Sequence, residues 1–125
     1  PEFHLYVTGN FKKVGLHVSD VPANIHLLGR VPWDEFDQML YSVDVTLDLT
    51  RRESCLVCGA YESVAAGTPM ILSDTRTLRS YFSKGASYAK SDSASIRFAV
   101  LEMHQSYEQK KAEKAQQAAA AGSEA

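Results

Sequence analysis

The first third of the chain alternates short apolar runs with polar stretches. Phe3 to Thr8 alternates large and polar side chains, and Ile25 to Leu28 is a brief apolar run closed by Gly29, so each predicts a strand. The polar residues between them, Phe11 to Pro22, predict a loop with at most one helical turn. A helix is expected to begin at Pro32, because apolar residues then recur at helical spacing: Phe36, Met39, Leu40 and Val43.

The same alternation continues through the rest of the chain. Val43 to Leu49 predicts a third strand, with Val45, Leu47 and Leu49 on one face. Small and apolar residues fill Leu56 to Ala66, which predicts a buried helix ended by Gly67. The remaining predicted elements are a strand over Pro69 to Leu72, a helix through Leu78, Tyr81 and Phe82 capped by Asp74 or Thr75, a strand over Ser87 to Ala89, and a long helix opened by Asp92.

This order of elements predicts an α/β fold. Short buried strands alternating with helices are typical of a Rossmann-like parallel sheet, here of about five strands, with helices on both faces. In such sheets ligands bind at the carboxyl ends of the strands. The loops to examine are therefore Gly9-Asn10, Gly29 to Val31, and Thr50 to Cys58.

The C-terminal segment has a different pattern. Apolar periodicity ends at Tyr107, so the sequence predicts a domain over residues 1–107 and a helical or frayed tail over residues 108–125. Alanine favours helix, but no large apolar side chain anchors this tail, and we expect it to fray. Acidic residues interleave with its basic ones, which predicts a solvated helix face for Lys110, Lys111 and Lys114.

Composition narrows the class of protein. At 125 residues the chain has the length of one compact domain, and a net charge of -2 gives no electrostatic reason to expect nucleic-acid binding. No apolar run is long enough to span a bilayer, and the first residues do not resemble a secretory signal. Two cysteines make no disulfide framework, which favours a reducing compartment and a cytoplasmic location. The absence of an initiator Met suggests a processed or shortened chain.

The candidate chemistry lies in the loop from Thr50 to Cys58, which leads into a helix. A helix start offers unpaired N–H groups and a positive dipole end to a phosphate, and Arg51 and Arg52 add cationic donors beside it. The carboxylates of Glu53 and Glu62 are suited to the vicinal hydroxyls of a sugar. Together these groups fit a nucleotide sugar better than a bare nucleotide. The alternative is that Glu53 only favours the helix dipole and Glu62 faces solvent.

The run from Glu53 through Glu62 to Asp74 resembles the signature of retaining family 4 glycosyltransferases (glycosyltransferases group 1), which have the GT-B fold. That signature has a Glu, a small helix start, a second Glu in an Ala-rich helix, Gly-x-Pro and a strand. The segments Asn24 to Pro32 and Tyr41 to Val45 are similar to the family's preceding segments. The resemblance extends over residues 3–105 and identifies the donor-binding, C-terminal domain.

The resemblance implies a hexose transfer from a UDP-, GDP- or similar nucleotide sugar, with retention and without a metal or other cofactor. By this resemblance Glu62 holds the nucleotide ribose, Glu53 contacts the donor sugar, and Val31 lies by the base. The expected diphosphate contacts are Arg52, Leu56, Val57 and Cys58. Glu53 and Glu62 stand one position further apart than in the family, which loosens the assignment of Glu53 and of the amides.

The resemblance begins at the family's second strand, so the sheet is expected to lack its first, central strand. We expect one of three arrangements: direct pairing of the strands at Phe3 to Thr8 and Val45 to Leu49, a strand from another chain, or dimerisation through exposed edges. The N-terminal, acceptor-binding domain is expected to be missing too, or to be supplied by another chain. Any peripheral membrane contact is expected only through that domain, and we expect no transfer from this chain alone.

Other functions remain open. Cys55 and Cys58 have the spacing of a thiol redox motif at a helix start, but no cis-proline segment follows. The four histidines are scattered, and none pairs closely with these cysteines as a zinc site requires. Trp33 is expected to pack on its own helix, and His26 to be a satisfied core residue. The principal alternative is a non-catalytic α/β module that acts through association.

Overall fold

The computed structural model describes residues 3–56 and 58–124, without the side chains of residues 58, 108 and 121–124. The chain divides into two compact units, residues 1–38 and residues 39–125. Each unit contains its own parallel sheet.

The first unit is built on two parallel strands, β1 (Leu5–Thr8) and β2 (Ile25–Gly29), which pair from Leu5 opposite Ile25 onwards. Gly9 and Gly29 end these strands with φ angles of 103° and 73°, a left-handed conformation that side chains disfavour. Two short 3-10 turns, Phe11–Val14 and Val18–Asp20, occupy the predicted loop. Helix α1 (Trp33–Ser42) follows, with two acids in its first turn.

The second unit has a three-stranded parallel sheet in the order β3 (Thr46–Asp48), β4 (Met70–Ser73) and β5 (Ala86–Ala89). The strand in the middle, β4, is buried along its whole length. Its connecting helices are α2 (Cys58–Ala66) and α3 (Arg76–Tyr81), and β5 is followed by α4 (Ser93–Gln105) and α5 (Tyr107–Glu124).

Successive side chains of β4 point to opposite faces of this sheet and contribute to two cores, one on each face. Met70 and Leu72 pack with side chains of α2 and α3, among them Ala60, Val64 and Leu78. Ile71 points the other way and packs against Ala99 and Met103 of α4. Helices therefore cover both faces of the sheet, as a parallel sheet requires.

The sequence-based fold prediction is confirmed in class: the chain is α/β and Rossmann-like, and its described residues form five strands in two parallel sheets. Thr75 caps α3 by accepting a hydrogen bond from the Leu78 amide at 3.1 Å, and Asp92 caps α4 through the Ser95 amide. The direct pairing of β1 with β3 is wrong, because the described strands form two separate sheets. The donated strand and the dimer stay predictions.

The tail forms helix α5, which packs against α2 and α4. The prediction of a solvated face is wrong for Lys114, which is fully buried, and for Lys110, whose Nζ donates to the Ala86 carbonyl oxygen. Lys111 is exposed as predicted. Within the described residues, no helix combines the length and the apolar character needed to cross a bilayer.

Candidate functional site

The loop that follows β3 is tied to the end of β4 through hydroxyl groups. The Thr50 amide donates to the Ser73 Oγ at 2.6 Å, and the Arg52 amide donates to the Thr50 Oγ1 at 3.1 Å. Both bonds hold the start of the loop at the carboxyl end of the sheet, where ligands bind in parallel α/β folds. The Arg52 side chain is exposed there.

Glu53 makes a contact that the sequence did not indicate. Its Oε1 accepts a hydrogen bond from the Arg76 amide at 2.8 Å, so the carboxylate caps the first turn of α3. Glu53 therefore joins the two loops that follow β3 and β4. Its second oxygen is the one available to a ligand while this bond is kept.

The predicted diphosphate contacts lie around the start of α2. Leu56 packs against the core, and Cys58 is the first residue of the helix. Val57 lies outside the described residues. The backbone around this helix start is thus anchored by an apolar side chain, while the positive end of the helix dipole is at the same end of the sheet as Glu53.

Glu62 lies one turn into α2, on the helix face turned towards β3. Its Oε2 is buried and has no hydrogen-bond partner among the described groups. A buried carboxylate oxygen without a donor is costly. A hydroxyl or N–H donor would therefore satisfy this oxygen.

Asp48, at the end of β3, is a residue that the sequence analysis missed. Burial, together with the negative charge of the nearby Glu62, raises its pKa above the usual range of an aspartate. Its carboxylate lies against Gly59, where an added Cβ would overlap the Asp48 Oδ2. The sequence feature that could have indicated Asp48 is its position as a carboxylate near the carboxyl end of a predicted strand.

A polar seam joins β3 to α2 and orients this face of the helix. The buried Ser63 places its Oγ 2.7 Å from the Thr46 Oγ1 and 2.8 Å from the Gly59 carbonyl oxygen, to which it donates. We call Thr46, Asp48, Gly59, Glu62 and Ser63 the β3–α2 seam. Because Gly59, Glu62 and Ser63 share one helix face, the seam fixes the direction in which Glu62 projects.

A second candidate region lies in the first unit, at the carboxyl ends of β1 and β2. A cleft of about 430 Å³ opens there between the two loops that follow these strands. Phe11 lies 3.8 Å from the position of a Cβ on Gly29, so the glycine leaves space above the ring. The lining residues are Asn10, Phe11, Lys12, Leu27, Leu28, Gly29 and Arg30, and the predicted base contact, Val31, directly follows them.

The packing of Trp33 on its own helix is as predicted, whereas His26 is only half-buried. Cys55 is a half-buried free thiol, and Trp33 stacks on Phe36 at 5.8 Å while staying 67% exposed. His26 is half-buried, and its Nε2 lies 3.0 Å from the Nδ1 of His4. In the part of the chain that the structure describes, no three histidine, cysteine or acidic side chains come together as metal ligands would.

A sequence model of the family described as glycosyl transferase-like matches residues 1–125. The chain belongs to this family. No curated protein matches the sequence. Family membership agrees with a GT-B C-terminal domain, and a glycosyl transferase-like domain accounts for the α/β architecture.

Proposed function

We propose that this glycosyl transferase-like domain binds the nucleotide-sugar donor of a hexosyl transfer that proceeds with retention. The observation that carries the proposal is the buried Oε2 of Glu62 in the β3–α2 seam, which has no hydrogen-bond partner among the residues that the structure describes. The two hydroxyls of a ribose supply the donors that this carboxylate lacks. In this role Glu62 is a binding residue and takes no part in bond cleavage.

The remaining contacts are proposed separately for the diphosphate, the hexose and the base of the nucleotide sugar. The diphosphate is proposed to lie at the start of α2, near the amides of residues 56–58 and the side chain of Arg52, because a helix start favours anions. Glu53 is proposed to contact the donor hexose with the carboxylate oxygen that does not bind the Arg76 amide. The base is proposed to lie by the backbone of Val31, beside the cleft of the first unit.

The proposal concerns donor binding, and it includes no metal or other cofactor. The resemblance implies that transfer takes place in a cleft between two domains, so we expect no hexose transfer by these 125 residues alone. A cytoplasmic location is part of the same proposal, since nucleotide sugars are soluble anionic donors.

The proposal is tested by calorimetric titration of the full chain with UDP- and GDP-linked hexoses. Glu62→Gln keeps the size of the side chain but removes its charge and one acceptor, and we expect it to weaken binding about tenfold or more. Glu53→Gln keeps an acceptor for the Arg76 amide, so its effect reports on the sugar contact. Glu35→Gln, at an exposed position on α1, is the matched control and should bind like the original chain.

If neither class of donor binds, the proposed function is wrong and a module that acts through association becomes the better explanation. If donors bind but Glu62→Gln and Glu35→Gln bind equally well, the domain is a nucleotide-sugar binder whose ribose contact has been misassigned.

A further inference from the structure

Helix α5 docks on the second unit through polar side chains. Its contact face consists of residues spaced as successive turns of one helix face: Lys110, Glu113, Lys114 and Gln117. The Lys110 Nζ donates to the Ala86 carbonyl oxygen at 3.1 Å, and the Gly85 amide donates to the Glu113 Oε2 at 3.1 Å. The Gln117 Nε2 donates to the Tyr81 carbonyl oxygen at 3.3 Å. We call this set of residues the α5 docking face.

Lys114 is at the centre of this face and has no exposed surface. A Cβ added to Gly85 would stand 2.6 Å from the Lys114 Cβ and 2.8 Å from its backbone nitrogen, so the helix backbone approaches the turn as closely as a glycine permits. The Nζ lies 5.9 Å from the centre of the Phe82 ring and forms no hydrogen bond with any described group. A lysine side chain normally extends to water when it lies over apolar surface, and here it does not.

An ammonium group without a hydrogen-bond partner is poorly accommodated in such a position. Burial lowers the pKa of Lys114 to about 8. The nearest acid on the same helix, Glu113, is engaged by the Gly85 amide. The titratable and charged groups on the elements packed with α5 are Tyr61 and Glu62 on α2, Arg76, Arg79 and Tyr81 on α3, Lys84 in the following turn, Tyr88 on β5, and Arg97, Glu102 and His104 on α4.

We propose that α5 is a releasable helix whose docking is coupled to the loss of a proton from Lys114. The protonated side chain weakens docking and the neutral side chain strengthens it, whereas the three flanking polar contacts hold the helix in register. Release would uncover Phe82 and the face of α2 that α5 covers. The inference is independent of nucleotide-sugar binding.

The direction of the pH effect follows from linkage. The pKa of Lys114 in the docked helix is below its value in a solvated helix, so the unfavourable contribution is fully present below pH 8. It disappears as the pH rises from there towards the ordinary pKa of lysine. Docking is therefore expected to be weaker at neutral pH than under alkaline conditions.

The test is amide hydrogen exchange of the full chain at about pH 7 and about pH 9.5, with protection factors corrected for the intrinsic rate of exchange. Burial keeps the pKa of Tyr88 above its usual value, so this phenol remains neutral over the range. We expect protection of α5 to rise about 10- to 30-fold between the two conditions. In the Lys114→Met variant, the amides of α5 should be strongly protected at both pH values. In the Lys111→Met variant, which is changed at an exposed position on the same helix, they should respond to pH as in the original chain.

An unchanged protection of α5 in the original chain, or an equal pH response in Lys114→Met, would overturn the proposal. Since Lys114→Met changes the packing, a second measurement uses the original chain. The ¹³Cε chemical shift of Lys114 should titrate with a midpoint near 8, and a midpoint near the ordinary pKa of lysine would also overturn the proposal.

Discussion

Asp48 shows how one buried carboxylate affects stability. Its pKa is raised first by burial and then by Glu62, so the folded chain binds this proton more tightly than the unfolded chain does. Protonated Asp48 therefore contributes to the free energy of unfolding. This contribution is fully present below the ordinary pKa of aspartate and is lost as the pH rises through the raised pKa of the folded state. Above its raised, folded-state pKa the ionised Asp48 is therefore destabilising.

We expect Asp48→Asn to raise the free energy of unfolding at about pH 7 by no more than about 1 kcal/mol, because the half-buried group is partly screened by solvent. The gain should vanish near pH 3, where both states carry the proton. Urea denaturation at the two pH values checks this, with the exposed Asp44→Asn as control. An equal effect of Asp48→Asn at both values would contradict the explanation.

Gly59 and Asp48 are expected to be energetically coupled. Alanine is the better helix former by about 1 kcal/mol, but its Cβ would overlap the Asp48 Oδ2. Gly59→Ala should therefore be more favourable in an Asp48→Ala background than in the original chain, by about 1–2 kcal/mol. A double-mutant cycle from denaturant unfolding measures the coupling, and additive effects would show that the contact has no energetic consequence.

The residue scale also marks the limits of prediction from sequence. The motif placed Glu62 among the predicted ribose contacts, whereas the alternation of Val45, Leu47 and Leu49 gave no reason to single out Asp48. Leu47 and Leu49 are 38% and 37% exposed, while Thr46 and Asp48 face α2. Alternation indicates which residues share a face, but it does not show that the polar residues of the strand also lie under a helix.

At the scale of elements, the β3–α2 seam depends on a buried hydroxyl. Ser63→Ala removes the bond to the Gly59 carbonyl oxygen and leaves the Thr46 hydroxyl without this partner. We expect a loss of about 1–2 kcal/mol in the free energy of unfolding. Ser80→Ala is the matched control, because the exposed Ser80 makes the same kind of bond, to the Arg76 carbonyl oxygen. Its loss should be within about 0.5 kcal/mol, and equal losses would contradict a structural role of the seam.

Most helices and strands were predictable because residues that end or cap an element occur where the hydrophobic pattern also changes. Glycines stand at the ends of β1, β2 and α2, and Thr75 and Asp92 cap α3 and α4 as the sequence predicts. Helix α5 was the exception: its alanines favoured a helix, but its docking face contains lysine, glutamate and glutamine. A search for apolar periodicity does not find a face of this kind, since its burial depends on Gly85 and on carbonyl groups of distant segments.

At the scale of the whole molecule, the parallel α/β class followed from the order of elements, and the family match agrees with it. The division into two sheets could not be predicted from the sequence. Whether β1 pairs with β3 depends on the neighbouring strands of each, and the order of elements does not determine these. Self-association through these edges remains a prediction. Analytical ultracentrifugation would detect it as a sedimentation coefficient that rises with protein concentration.

The central claim is that this glycosyl transferase-like domain binds a nucleotide sugar at the carboxyl ends of its strands. The most direct test is a two-dimensional NMR titration of the full chain with UDP- and GDP-linked hexoses. The proposal predicts saturable shift changes concentrated at Val31, in residues 53–59 and at Glu62. The absence of any change at about 1 mM of either donor, or changes confined to other parts of the chain, would contradict it.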